Sequence, residues 1–312
     1  MTLYLTEAEV ESLVTTEDAL AAVQGSLERQ AEGTIQIEPR RRIELEDGVF
    51  ALMAAADAGL ELAGLKAYTW LPGGTPSVVC LFSTAKPALV AVIEADKLGQ
   101  LRTGAASGVA ARYLARPEAR SLGIIGCGWQ AESQVASIRA AVPSIDRVVA
   151  YCRTEKRLTA FCKKVGAEPG ESHRDAGELD IVVTVTTSKD PVLRGEWLRP
   201  GALVCAVGAN DPSRRELDNV VLERASFVCC DSREQALLES GDLIEPVERG
   251  VLDWLEVHEL HEVVSGELQG RADPEDIIVF KSNGIAAWDV AIGARAVELA
   301  RERKVGLDVG AR

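Results

Sequence analysis

From residue 120 onward the chain alternates short, mainly apolar runs with segments of helical pattern. Runs at 122–125, 147–151, 180–187, 202–208, 226–230 and 276–281 are rich in Val, Ile and Ala, as strands covered on both faces should be. Such strands, separated by helices, predict a doubly wound parallel sheet. Before residue 117 the pattern differs. Residues 6–9 form a capping-box start for one helix, and residues 16–29 carry an amphipathic second one. Residues 40–45, 49–53, 62–68 and 77–82 then read as strands punctuated by Gly and Pro. The expected fold class is α/β, with a Rossmann-type domain over residues 117–285. A second, α+β domain with a catalytic or assembly role is expected over 1–116. No internal repeat or low-complexity tract is present.

Composition narrows the function classes. At 312 residues and 47% hydrophobic, the chain can bury a large core in one or two domains. Its net charge of −14 attracts neither nucleic acid nor an anionic membrane. No run approaches the roughly 18 apolar residues of a membrane span, and Met1-Thr2-Leu3-Tyr4 opens no signal or transit pattern. The expectation is a soluble, cytoplasmic protein with small-molecule ligands. Seven cysteines without a C-x-x-C pair read as reduced thiols used as small hydrophobes. His258-x-x-His261 lacks both a third ligand and the i, i+4 spacing of a zinc helix, so no metal site is expected and His173 reads as a loop residue.

The chemistry concentrates where the 122–125 run enters Gly126-x-Gly128-x-x-Ala131, with a helix beginning near Trp129. Such a strand, glycine turn and helix N-terminus lets backbone approach a pyrophosphate while free N–H groups and the helix dipole stabilise its charge. Two later strands end in polar tails, Thr186-Thr187-Ser188 and Gly208-Ala209-Asn210, at the carboxyl edge where ligands of open α/β sheets sit. The second strand runs into Tyr151-Cys152-Arg153-Thr154. NAD sites place an acidic residue about 20 residues beyond the glycines. Here no carboxylate occupies the tip, and Arg153 with Thr154 offers donors suited to a 2′-phosphate. NADPH is the expected cofactor, with NADH the other dinucleotide to test.

Pro39-Arg40-Arg41, Leu65-Lys66-Ala67-Tyr68-Thr69, Leu101-Arg102-Thr103-Gly104-Ala105-Ala106-Ser107, the glycine turn, Arg215-Glu216-Leu217-Asp218 and Phe280-Lys281-Ser282-x-Gly284 occur in order. Together they resemble the ornithine cyclodeaminase/mu-crystallin family. The resemblance implies a homodimer, with residues 1–116 and a C-terminal helix in 286–312 forming the substrate-binding and dimerisation domain, and imine chemistry on an amino acid with a nicotinamide cofactor. It also implies that Arg41, Lys66 and Arg102 hold the substrate carboxylate and polarise the reacting centre. The residues agree with this: paired donors suit an α-carboxylate, and a lysine in an apolar strand is costly unless paired or catalytic. Cofactor contacts are then expected at Thr103, Gly126, Gly128, Trp129, Gln130, Arg153, Thr154, Thr186 and Ser282. Trp70 and Trp288 are candidates for the pocket wall or a dimer core.

One departure bears on the reaction. At the position of Asn210 the resemblance implies an aspartate in cyclodeaminases and alanine dehydrogenases, and an amide is no base. Asn210 is therefore read as substrate-binding. The expected activity is reduction of a preformed cyclic ketimine, Δ1-pyrroline-2-carboxylate or Δ1-piperideine-2-carboxylate, in proline-type amino-acid metabolism. Ornithine cyclodeaminase or alanine dehydrogenase is the alternative, and a non-catalytic, crystallin-like binder the third reading.

Overall fold

The computed structural model describes residues 2–310. The chain divides into two compact units, Met1–Arg102 with Ile285–Arg312, and Thr103–Gly284. In the first unit, helices α1 (Glu7–Leu13) and α2 (Thr16–Ala31) follow strand β1 (Leu3–Leu5). Thr6 and Thr15 cap the two helices through capping boxes. A meander follows: β2 (Ile35–Leu45), β3 (Gly48–Asp57), β4 (Leu62–Trp70), β5 (Ser77–Ser83) and β6 (Ala88–Glu94). With a terminal strand at Leu307–Asp308 (β15 below), these make a seven-stranded sheet in which β2 to β6 are antiparallel neighbours in sequence order.

The period-2 alternation decides what faces inward. Along β3 the buried positions are Ala51, Met53, Ala55 and Asp57, and along β4 they are Gly64 and Lys66. Lys66 pairs with Met53 on one side and Val79 on the other, both buried, so it stands on an interior strand's covered face and is not an edge lysine in water. The register of β2 against β3 shifts between Glu38 and Arg41. That irregularity decides which of three consecutive arginines turns inward: Arg40 is buried and Arg41 exposed. The long C-terminal helix of this unit (Ala286–Arg303) packs against α2, β3, β4 and β5. It lies so close to β4 that a Cβ on Gly64 would fall 2.8 Å from Val290 Cγ2.

The units divide inside helix α3 (Asp96–Leu114), between Arg102 and Thr103, and not at a loop near residue 116. The reason is close packing. A Cβ on Gly104 would meet the Ser133 carbonyl oxygen at 2.4 Å, which ties the second part of α3 to the helix after the glycine turn.

The second unit is an eight-stranded, wholly parallel sheet. In chain order its elements are β7 (Ser121–Ile125), α4 (Trp129–Ala141), β8 (Arg147–Tyr151), α5 (Glu155–Val165), β9 (Glu168–Pro169), α6 (His173–Gly177), β10 (Ile181–Thr184), β11 (Leu203–Ala206), α7 (Asn219–Glu223), β12 (Phe227–Cys230), α8 (Arg233–Glu239), α9 (Gly241–Glu248), β13 (Val257–Glu259), α10 (Leu260–Val264) and β14 (Ile278–Lys281). The C-terminal helix and strand of the first unit are therefore α11 and β15. The sheet order β13-β12-β14-β11-β10-β7-β8-β9 reverses direction between β7 and β10, the switch point at which doubly wound sheets bind ligands. His173 opens α6 and does not lie in a loop. Strands β10 and β11 are shorter than their apolar runs because residues after Thr184 and Ala206 leave the sheet as polar tips.

Candidate active site

The first unit buries a charged cluster. The Lys66 Nζ donates to Asp289 Oδ1 at 3.2 Å, and Arg102 Nε lies 3.5 Å from the same oxygen. Lys66, Arg102 and Asp289 are 7%, 9% and 1% exposed. Gly99 on α3 leaves room for this: a Cβ there would sit 2.5 Å from the Lys66 Nζ. Burial pushes the Lys66 ammonium below the usual lysine range, the Asp289 carboxylate opposes that shift, and the Arg102 and Arg40 guanidiniums add to it. Arg40 is thus the β2 arginine whose charge reaches Lys66, and Arg41, expected in the clamp, is exposed. Asp289 Oδ2 is buried with no hydrogen-bond partner among the described residues. A cationic cluster with an unused acceptor at its centre can bind a carboxylate and a protonated nitrogen together.

Asp289 was missed in the sequence. Its only signal is a carboxylate within the otherwise apolar Ala286-Ala287-Trp288-Asp289-Val290-Ala291-Ile292 segment. The neighbouring Trp288 is fully buried, while Trp70 is 53% exposed at the end of β4.

In the second unit the glycine turn has the geometry its spacing suggests. Gly126 has φ +112°, and a Cβ on it would meet the Val185 carbonyl oxygen at 2.6 Å. Gly128 caps α4 without a side-chain hydrogen bond, and a Cβ there would meet nothing within 4 Å. Trp129 is 52% exposed beside it. Gln130 Oε1 is buried without a hydrogen-bond partner among the described residues. Open space at a helix N-terminus, walled by glycines, fits a pyrophosphate. Thr103 adjoins α4, its carbonyl accepting from Gln134 Nε2 at 3.0 Å. At the tip of β8, Arg153 and Thr154 are exposed. His173 packs edge-on against Tyr151 with ring centroids 4.7 Å apart, and burial followed by the Arg153 charge holds it below the usual imidazole range.

The remaining predicted positions are held by internal partners. Thr186 donates to Glu216, and the Ser282 hydroxyl donates to buried Asp231. Asn210 is half-buried on the β11 tip. The adjacent Asp211 carboxylate accepts from the Ser213 N–H at 2.8 Å and hydroxyl at 2.6 Å, which occupies it locally. Among the described residues no group of three or more His, Cys, Asp and Glu side chains is placed to hold a metal. His261 pairs with Glu259 at 2.9 Å, and His258 lies 3.9 Å from Glu262. No helix among the described residues is long and apolar enough to cross a membrane.

A parallel sheet with a glycine turn at its first strand, together with a separate unit that buries a Lys–Arg–Asp cluster, defines a two-unit oxidoreductase of Rossmann type. Residues 1–304 match the ornithine cyclodeaminase/mu-crystallin family, and the chain belongs to it. Among its relatives is the alanine dehydrogenase of Archaeoglobus fulgidus, 37% identical over 98% of this chain and 97% of that protein. A Δ1-pyrroline-2-carboxylate reductase from Thermococcus litoralis, solved with NADH and L-proline, superposes with a TM-score of 0.93 at 32% identity, covering 98% of this chain and 100% of that one. An archaeal alanine dehydrogenase dimer solved with NAD gives a TM-score of 0.93 at 35% identity, over 100% of this chain and 99% of that one.

Proposed function

We propose that the protein reduces a cyclic ketimine carboxylate, Δ1-pyrroline-2-carboxylate or its six-membered homologue, to L-proline or L-pipecolate with NADPH. The observation that carries this reading is the buried Lys66–Asp289–Arg102 cluster. The Arg102 and Arg40 guanidiniums bind the substrate carboxylate. Lys66 faces the ring nitrogen, and Asp289 Oδ2 accepts from the N–H of the iminium form. A reduced nicotinamide, when bound, would supply hydride for the C=N carbon. As that bond forms, the π electrons move onto nitrogen, which keeps the proton received from Lys66; Lys66 then regains one from solvent. A lysine with a depressed pKa suits this exchange, because its proton is less firmly held than in water.

The exposed Arg153–Thr154 tip supports NADPH over NADH, the dinucleotide in the Thermococcus litoralis structure. Asn210 supports reduction over cyclodeamination, since hydrolytic loss of ammonia asks for a base there. A homodimer is supported by the sheet face opposite α11, where the cross-strand pair Phe82 and Leu89 is 42% and 36% exposed. The helix α11 itself is largely buried in its own unit. Seven free thiols support a reducing compartment such as the cytoplasm.

The test is a substrate panel followed by nicotinamide absorbance. NADPH oxidation with either cyclic ketimine, and little with pyruvate plus ammonia, is the expected result. The 37% identity to an alanine dehydrogenase makes pyruvate plus ammonia the informative competitor. Faster turnover of that pair, or ammonia release from L-ornithine, would replace the proposal with the corresponding alternative. Cofactor binding without turnover of any of these would favour a binder.

A further inference from the structure

Two of the family-marking motifs, Arg215-Glu216-Leu217-Asp218 and Phe280-Lys281-Ser282, meet in an ion cluster that the reaction above does not use. Glu216, Asp242 and Lys281 are each fully buried. The Lys281 Nζ lies 3.2 Å from Asp242 Oδ2 and donates to the carbonyls of Ala206 and Ala209. Asp242 Oδ1 accepts the Glu216 N–H at 2.7 Å and the Leu217 N–H at 3.0 Å. Glu216 takes four donors. Oε1 accepts the Thr186 N–H at 2.6 Å and hydroxyl at 2.8 Å, and Oε2 accepts the Gly208 N–H at 2.7 Å and the Thr184 hydroxyl at 3.0 Å.

One carboxylate therefore joins the tips of β10 and β11. The tips touch: a Cβ on Gly208 would lie 2.3 Å from the Thr186 nitrogen and oxygen. Lys281 fixes the β11 segment through Ala209, the residue before Asn210. Three buried charges are a poor source of stability, because desolvation offsets most of their attraction. Burial and the Asp242 carboxylate push Glu216 upward while Lys281 opposes them. What the cluster supplies is a single geometry for two strand tips.

The place of those tips in the sheet gives that geometry a use. In the dinucleotide reading, Gly126–Gly128 on β7 would hold the pyrophosphate and Arg153 on β8 the adenosine side, across the switch point. The nicotinamide half would then fall on the other side, over β10 and β11. We propose that Glu216, fixed by Asp242 and Lys281, is a positioning residue for the nicotinamide half of the cofactor, holding Thr186 and Gly208 in the register on which that half rests. This rests on the dinucleotide reading given above.

The test compares two ligands on two variants. Glu216→Gln keeps the shape but turns an NH2 toward two donors, and Thr184→Val removes a single donor from Oε2. NADPH and 2′-phospho-ADP-ribose, which lacks the nicotinamide, are titrated by tryptophan fluorescence. Exchange of the Thr186 and Gly208 amides is followed in the protein without cofactor. In Glu216→Gln, NADPH binding should weaken by about tenfold or more, 2′-phospho-ADP-ribose should stay within about twofold, and both amides should exchange at least about tenfold faster. Thr184→Val should show the same pattern at smaller size, and it decides alone if Glu216→Gln does not fold. Binding of NADPH as in wild type, or equal loss of both ligands, would overturn the positioning role. Wild-type protein that binds neither ligand would instead overturn the dinucleotide reading, and this proposal with it.

Discussion

Asp289→Asn tests the buried charged cluster most directly, because it removes the only carboxylate among the described residues that contacts both Lys66 and Arg102 and changes almost no volume. At an effective dielectric near 20, unit charges 3.2 Å apart attract by about 5 kcal/mol, and the Arg102 contact at 3.5 Å is of the same order. Desolvation offsets much of this, and removing one partner of a buried pair costs about 3–5 kcal/mol. Urea unfolding at neutral pH should show a loss of that size. The pH dependence carries the sign. Lys66 is depressed below 10.5 in the folded chain and Asp289 is what opposes the depression, so its loss lowers Lys66 further. The folded variant then sheds the lysine proton at lower pH than wild type, and its stability deficit shrinks as pH rises through the window below 10.5. The alkaline limb of kcat/KM for imine reduction should move toward acid by at least about one pH unit, each unit being about 1.4 kcal/mol. A variant within about 1 kcal/mol of wild type, with an unmoved limb, would show that the pair neither stabilises the unit nor tunes its lysine.

Arg102→Leu and Arg40→Leu should each lower imine turnover by about two to three orders of magnitude with NADPH binding intact, whereas exposed Arg41→Leu should stay within about threefold; the reverse order for Arg40 and Arg41 would refute the inward assignment. Arg153→Asp should raise the KM for NADPH by about tenfold or more and leave NADH unaffected or better; a wild type that already prefers NADH would refute the reading of that tip. Asn210→Asp should bring detectable ammonia release from L-ornithine if the missing base separates the two activities, and its absence would move that distinction elsewhere.

The doubly wound sheet was legible because its main strands are rich in Val, Ile and Ala and its first turn needs glycine. The meander was legible because Gly and Pro punctuate its strands. The edges were not. Strands of two or three residues, such as β1, β9 and β15, are too short to show a period. The buried charged cluster was legible as to Lys66 and Arg102 and illegible as to its carboxylate, since Asp289 meets Lys66 across 223 positions of sequence. That Arg40 and not Arg41 is the buried arginine goes with the register shift after Glu38, which no local pattern announces. The Arg215–Asp218 motif was visible as a signature, but its use depends on Thr186, Gly208 and Asp242 meeting at one side chain.

The first unit is discontinuous in the chain and the second is not, which orders events during synthesis. Residues 103–284 form one uninterrupted stretch and can close their parallel sheet as soon as β14 emerges. The meander that carries Lys66 is made first, yet it must wait for α11, the helix that covers it and brings Asp289 to its lysine. Until then a buried-type lysine and an apolar sheet face lack both lid and counter-ion. The nascent chain therefore holds the meander unfinished until α11 is joined, and a ribosome stalled before residue 286 leaves a completed second unit and an open, aggregation-prone sheet.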